Sequence, residues 1–321
     1  MLIFVFQIFI VIGLLAGGYY GYLYLQSYLM YKRLERENLA AAHSDIWEDE
    51  DLEVEGHTEV GQHQIFSKAL GRGSSTLVFF HGISASHYTW RLVLPLLKKN
   101  FRLLVVDLPG FGQSSKIKNY SYNLDDQTEL MHRFLRTYGV VKPILVGSSM
   151  GGNIALWMAR QYPEEYQDLV VISPAVEPGI GKLLNLRPLR FFARPLSFVA
   201  DRAFVERMLN LVVADKSIVT EEVIDAYFEP YSRNHLAVKS LIKAFDAVKD
   251  RRLPKRLKYL RAKTLILWGE KDKLTSIKAA PRLNSILPHS NLEVNELAGH
   301  HIMEDDPHWV ADMIQLYFKN T

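Results

Sequence analysis

The sequence predicts an α/β fold: a mostly parallel sheet flanked by helices, carrying an inserted helical cap and preceded by an N-terminal transmembrane helix. Three observations predict it. After about residue 55, short β-branched runs alternate with longer amphipathic segments, the rhythm of a parallel sheet whose crossovers are helices. Between Pro174 and about Lys249 that rhythm stops and the sequence reads as helical, interrupted by Pro178, Pro188, Pro195 and Pro230. From Leu2 to Leu25 there is no charged residue. The boundaries that follow are 1–31 for a membrane anchor, 32–54 for a linker, 55–174 and 251–321 for the core, and 175–250 for the cap.

As a helix, the uncharged N-terminal run would be about 36 Å long, enough to cross a hydrocarbon layer of about 30 Å. Tyr19, Tyr20, Tyr22, Tyr24, Tyr28 and Tyr31 gather at its far end, followed by Lys32, Arg33 and Arg36. Aromatic rings favour the headgroup level, and basic residues on the C-terminal flank alone place the rest of the chain on the cytoplasmic side. A cleaved signal peptide is the rival reading, but it lacks a basic start, and the small-residue run Ala40–Ala42 lies beyond the charges. The acidic stretch Glu48–Glu55 reads as a solvated linker leading into the first strand.

Thr76–Phe80, Leu103–Val106, Ile144–Val146, Leu169–Ile172 and Leu265–Trp268 are the expected buried strands, and Leu292–Val294 the last. Polar residues just beyond them carry functional weight, because ligands of open α/β sheets sit at the carboxyl ends of the strands.

Composition narrows the chemistry. Apolar residues at 48% and charged residues at 23% of the 321 positions indicate a packed core. The absence of cysteine removes disulfides, thiolate nucleophiles and cysteine metal sites, leaving serine as the natural group for covalent catalysis. A net charge of +3 and the lack of a basic run with interleaved aromatics set nucleic acid aside.

Gly147-x-Ser149-x-Gly151 falls between a strand and an expected helix over Asn153–Tyr162. A tight strand-to-helix turn needs glycines beside its central residue, and it lifts that residue's oxygen clear of the backbone. Ser149 is thereby the expected nucleophile, with Ser148 a packing residue. A serine hydroxyl needs a base, and the base an acid to orient it. Asp272 lies just beyond the Leu265–Trp268 run, with Glu270 a nearby competitor. His300 lies beyond the last strand and directly after Gly299, which leaves room for its ring; His301 is the rival base. Acyl transfer also needs two N–H donors for the oxyanion. Met150, after the nucleophile, supplies one, and Ile83, after the His81-Gly82 turn, supplies the other. His81 reads as a brace for that loop, and Asp107 as a structural residue of the turn Asp107–Ser114.

His81-Gly82, DLPGFGQS from 107, GSSMGG from 147, WGEKD from 268 and AGHHIMEDDP from 298 resemble the α/β-hydrolase fold superfamily over roughly residues 55 to 320. The GSSMGG and HGISASHYTW segments and the N-terminal anchor are similar to membrane-anchored monoacylglycerol lipases and to bacterial lipases and esterases of that subgroup. The resemblance implies an eight-stranded, mostly parallel sheet, Ser149 as nucleophile, Asp272 as acid, His300 as base, and Ile83 and Met150 as oxyanion donors. It implies no metal or organic cofactor, and a lipid ester arriving from the bilayer as substrate. A serine-dependent carbon–carbon bond hydrolase and a catalytically silent lipid-binding scaffold are the alternatives. The segment Gly179–Arg194 is basic and apolar, suited either to resting on an anionic lipid surface or to packing over the pocket, and Leu184, Leu186, Leu189, Phe191 and Phe192 are its expected acyl-chain contacts.

Overall fold

A computed structural model describes residues 53–176, 201–248, 250 and 252–319. The expected anchor, all but the last two residues of the linker and the basic segment Gly179–Arg194 lie outside the described residues. Among the described residues no helix is long and apolar enough to cross a membrane.

Eight strands form one sheet in the order β1-β2-β4-β3-β5-β6-β7-β8. They are β1 (Val54–Val60), β2 (His63–Leu70), β3 (Thr76–Phe80), β4 (Arg102–Val106), β5 (Ile144–Ser148), β6 (Asp168–Ile172), β7 (Lys263–Gly269) and β8 (Ser290–Asn295). β1 and β2 pair antiparallel, as do β2 and β4, and every other pairing is parallel. Among the described residues ten α-helices accompany them: α1 (Leu94–Leu97), α2 (Leu124–Tyr138), α3 (Met150–Gln161), α4 (Arg202–Val212), α5 (Glu221–Phe228), α6 (His235–Val248), α7 (Arg252–Arg256), α8 (Ala279–Ile286), α9 (Ile302–Asp305) and α10 (Pro307–Lys319).

The central strands are apolar throughout because both faces are covered, and the two-residue period sorts them into two cores. Val78, Phe80, Leu104, Val106, Leu145, Val171 and Trp268 point to the face carrying α2, α3 and α8. Leu77, Phe79, Leu103, Val105, Val146, Ile172 and Leu267 point to the opposite face, where Trp90, α1 and α10 pack. Local signals fix the helix ends. Asn123 caps α2 by accepting from Asp126 N, and Gly139 closes it with a φ of 81°; Asp201 and Thr220 cap α4 and α5.

The described part of the insertion is helical, with no strand between β6 and β7 among the described residues. Its helices divide their loyalties. Leu209 of α4 and Val223, Ile224 and Tyr227 of α5 form a small cluster on Ala85 and Tyr88, residues of the loop after β3. Ala237, Val238, Ile242, Ala244, Ala247 and Val248 of α6 instead join the main core. The expected helix over Asn153–Tyr162 begins three residues earlier, at Met150. Gly151, read as a turn residue, instead lies with Gly152 in its first turn, where small size permits close approach to the sheet.

Candidate active site

Strands β3, β5, β6, β7 and β8 run parallel, so their following loops gather on one edge of the sheet. Neighbouring strands stand about 4.8 Å apart, which sets β5 and β7 about 10 Å from one another at that edge. Ser149 leaves β5, Asp272 follows β7, His300 follows β8, and the His81–Ile83 turn follows β3.

Ser149 occupies the turn between β5 and α3 with φ 51° and ψ −114°. A non-glycine residue at positive φ carries strain of about 1–3 kcal/mol, held in place by its surroundings. The turn is compressed: a Cβ on Gly151 would stand 2.2 Å from Phe80 O, so the start of α3 presses on the end of β3. Ser149 N donates to Ile172 O at 2.9 Å, fixing the turn against β6 as well. Only 4% of the Ser149 surface is exposed. As the first helical residue, Met150 carries one of the N–H groups that have no partner within the helix. Across from it, a Cβ on Gly82, the residue before Ile83, would lie 3.3 Å from Ser149 Cβ.

His300 Nδ1 and Asp272 Oδ2 are 2.8 Å apart, with side-chain exposures of 1% and 0%. The other Asp272 oxygen accepts from Leu274 N and Thr275 N at 2.8 Å each, and the Thr275 hydroxyl donates to Oδ2. Burial alone would raise the Asp272 carboxyl; the hydrogen bond and charge of His300, and hydrogen bonds from Thr275, pull it below its ordinary range. An ionised, fully bonded carboxylate facing Nδ1 leaves Nε2 as the ring's free nitrogen. Lys271 N donates to Ala298 O at 3.0 Å, tying the loop of Asp272 to the loop of His300.

The rivals sit elsewhere. Glu270 is exposed. His301 is buried against Tyr227, with ring centroids 6.3 Å apart, and burial lowers its pKa to about 4. Ser148 ends β5 with a buried side chain. His81 Nδ1 donates to Gly82 O at 2.7 Å, while its Nε2 accepts from Leu108 N at 2.9 Å, and burial holds its pKa down at about 4. It joins the loops after β3 and β4 as a neutral brace. Asp107 accepts from His87 N at 2.6 Å, His87 Nδ1 at 3.0 Å and Gln113 N at 2.7 Å, a structural role in the turn it opens.

Sequence reasoning missed Thr275, whose hydroxyl and N–H both serve Asp272. The Asp-x-x-Thr spacing, in which a side-chain oxygen meets an N–H three residues on, is the signal that finds it. Glu304 was also missed: a buried carboxylate that accepts from Arg91 Nη2 at 3.2 Å and from the Tyr227 hydroxyl. Its partners lie far away in sequence, and no local pattern announces them. Among the described residues no group of acidic or histidine side chains is arranged to hold a metal.

A family profile described as the alpha/beta hydrolase fold matches residues 75–307. The uncharacterized hydrolase YugF of Bacillus subtilis (strain 168) is 30% identical over 255 residues, covering 77% of this chain and 91% of that protein. Monoacylglycerol lipase abhd6-A of Xenopus laevis is 27% identical over 257 residues, covering 77% and 76%. A 2-hydroxy-6-oxononadienedioate/2-hydroxy-6-oxononatrienedioate hydrolase of Paraburkholderia phymatum is 28% identical over 263 residues, covering 77% and 87%. Among solved structures, a membrane phospholipase A superposes with a TM-score of 0.68 at 22% identity, covering 100% of this chain and 99% of that one, a likeness of fold.

Proposed function

As the chain belongs to the alpha/beta hydrolase fold family and is a hydrolase, we propose that it cleaves carboxylic esters of lipid type, such as monoacylglycerols, through an acyl-enzyme on Ser149. The observation that carries the reading is the buried 2.8 Å contact between His300 Nδ1 and Asp272 Oδ2, on the sheet edge that also bears the strained Ser149 turn.

In this mechanism His300 Nε2 takes the proton of Ser149 Oγ as the oxygen attacks the ester carbonyl carbon. Asp272 holds the imidazole with its proton on Nδ1 and stabilises the imidazolium that forms. The N–H groups of Met150 and Ile83 receive the oxyanion of the tetrahedral intermediate. His300 returns the proton to the leaving alcohol, and water, activated by the same nitrogen, releases the fatty acid and frees Ser149.

Residues 1–31 serve as a single-pass anchor with the catalytic core, 55–174 and 251–321, on the cytoplasmic side. The 24 uncharged residues from Leu2 to Leu25 and the basic flank at Lys32, Arg33 and Arg36 support this placement. An anchored hydrolase meets lipid esters at the bilayer surface, and the 175–250 insertion covers the acyl chain. A second reading, hydrolysis of a carbon–carbon bond in a dienoic diketone-type substrate, is favoured by the Paraburkholderia relative and would use the same serine, acid and base. The uncharged N-terminal run weighs against it, since such substrates are soluble.

Turnover of a graded series of monoacylglycerols, set beside a dienoic diketone-type acid, decides between them. Each buried methylene contributes about 0.8 kcal/mol, so two added methylenes raise kcat/KM roughly tenfold until the pocket is filled. Cleavage of the dienoate with no turnover of any ester would overturn the ester reading.

A further inference from the structure

The helix that follows the histidine pair, α9, ends in two carboxylates that face the insertion. Glu304 takes the hydroxyl of Tyr227 from α5 and the Arg91 guanidinium. Asp305 does something different: among the described residues it accepts from main-chain N–H groups, and from two separate parts of the chain. Gly299 N donates to its Oδ2 at 2.7 Å, Ala214 N reaches both oxygens at 2.9 and 3.0 Å, and Asp215 N donates to Oδ1 at 2.9 Å. Gly299 immediately precedes His300. Ala214 and Asp215 lie just after α4, where the Lys216 ammonium also binds the carbonyls of Asn210 and Val213. One further bond joins the same two segments directly, His301 N to Val212 O at 3.0 Å.

A carboxylate accepting three N–H groups makes charge-assisted bonds, stronger than neutral ones and demanding in direction. Asp272 orients the ring of His300, but nothing in that contact sets the height of its Cα above the sheet. The backbone around His300 does: the following peptide donates through His301 N to Val212 O, and the Gly299 N–H, one peptide earlier than the bond into His300, donates to Asp305.

We propose that Asp305 is a positioning residue that fixes the backbone of His300 to the base of the cap, so that the base is aligned only while residues 212–215 are seated. The proposal rests on the reading of His300 as the general base. Cap and base thereby form one mechanical unit. Displacement of the 212–215 segment by an entering acyl chain would be felt at Nε2, and seating of the segment after entry would restore the geometry for attack.

The test is Asp305→Asn in the full chain, which keeps the shape but turns an amide toward donors. Labelling of Ser149 by a fluorophosphonate and kcat for a short soluble ester should each fall at least about tenfold, with KM changed less than about twofold, as misplacement of a reacting group demands. The strongly downfield proton resonance of His300 Nδ1–H should broaden or vanish. A merely stabilising Asp305 would lower the melting temperature while leaving the labelling rate and the resonance of the folded protein as they were, and that result would overturn the proposal. If Asp305→Asn does not fold, Asp305→Glu, which keeps the charge and moves it by one methylene, is read by the same criteria. An unlabelled wild-type protein would count against the serine-hydrolase reading instead, and the resonance would still decide the positioning role.

Discussion

His300 turns Nδ1 onto Asp272 Oδ2 at 2.8 Å, and both side chains are buried. Replacing Asp272 with Asn leaves the shape but lets the ring take the wrong tautomer, so kcat should fall by about 10³–10⁴-fold with little change in KM. The same contact depresses the folded-state pKa of Asp272. Its contribution to stability is therefore complete above the unfolded carboxylate value of about 3.9 and is lost as pH falls through the depressed value. Melting curves of wild type and Asp272→Asn should differ near neutrality and converge in acid.

The neighbouring imidazoles should behave unlike one another. His300→Ala should lower kcat by at least about 10³-fold, whereas His301→Ala should cost less than about tenfold, because that ring fills space beside Tyr227. Steady-state kinetics of the two variants check this, and the reverse result would move the base by one residue.

Burial gives His81 and His301 folded-state pKa values of about 4 against 6.5. Both are protonated in the unfolded chain before they are protonated in the native one, so the stability they confer is full above about pH 6.5 and drains as pH falls toward 4. Near pH 5 the slope should approach about 1.4 kcal/mol per pH unit for each ring. Urea unfolding between pH 7 and pH 5 measures it, and His301→Gln should flatten the dependence without abolishing it, since His81 and His63 are also shifted down.

Much of this was legible in the chain because the central strands are apolar on both faces. Thr76–Phe80 was read at its observed bounds, and the Leu103, Ile144, Leu169 and Leu265 runs to within two residues at either end. The hairpin of β1 and β2 was not resolved into strands. With Glu55, His57 and Glu59 outward on the edge and Gly61 at the turn, it shows alternation without an apolar run. Asp272 and His300 could be singled out because each follows a strand end in the required order. Glu304 and Asp305 could not, since their meaning lies in contacts with Arg91, Tyr227 and Ala214, and contact at such separations leaves no local trace.

Two glycines should separate catalysis from folding. A Cβ at position 82 meets Ser149 Cβ at 3.3 Å, a tight but yielding contact, so Gly82→Ala should fold and lose roughly tenfold in kcat, short of the ~10²-fold loss from a 1 Å displacement. A Cβ at 151 meets backbone oxygen at 2.2 Å, so Gly151→Ala should not yield stable protein. Circular dichroism and ester turnover distinguish the two outcomes.

Deleting residues 1–31 should give a protein that stays in solution without detergent and retains its activity on a water-soluble ester, while losing activity on vesicle-borne monoacylglycerol. Sedimentation with vesicles and paired assays check it. Loss of the folded state would show that the segment belongs to the core.

The attachment of α6 to the main core bears on how this chain can be re-engineered. Since Ala237, Val238, Ile242, Ala244, Ala247 and Val248 are shared with the sheet-covering helices, the insertion is not an exchangeable cassette. A chimera that imports a foreign lid across the whole interval would tear out part of the scaffold along with it. Splice points belong after Val176 and before Tyr231, where among the described residues the incoming segment must meet the loop around Ala85 and Tyr88, Glu304, the N–H of His301 and the acceptor Asp305.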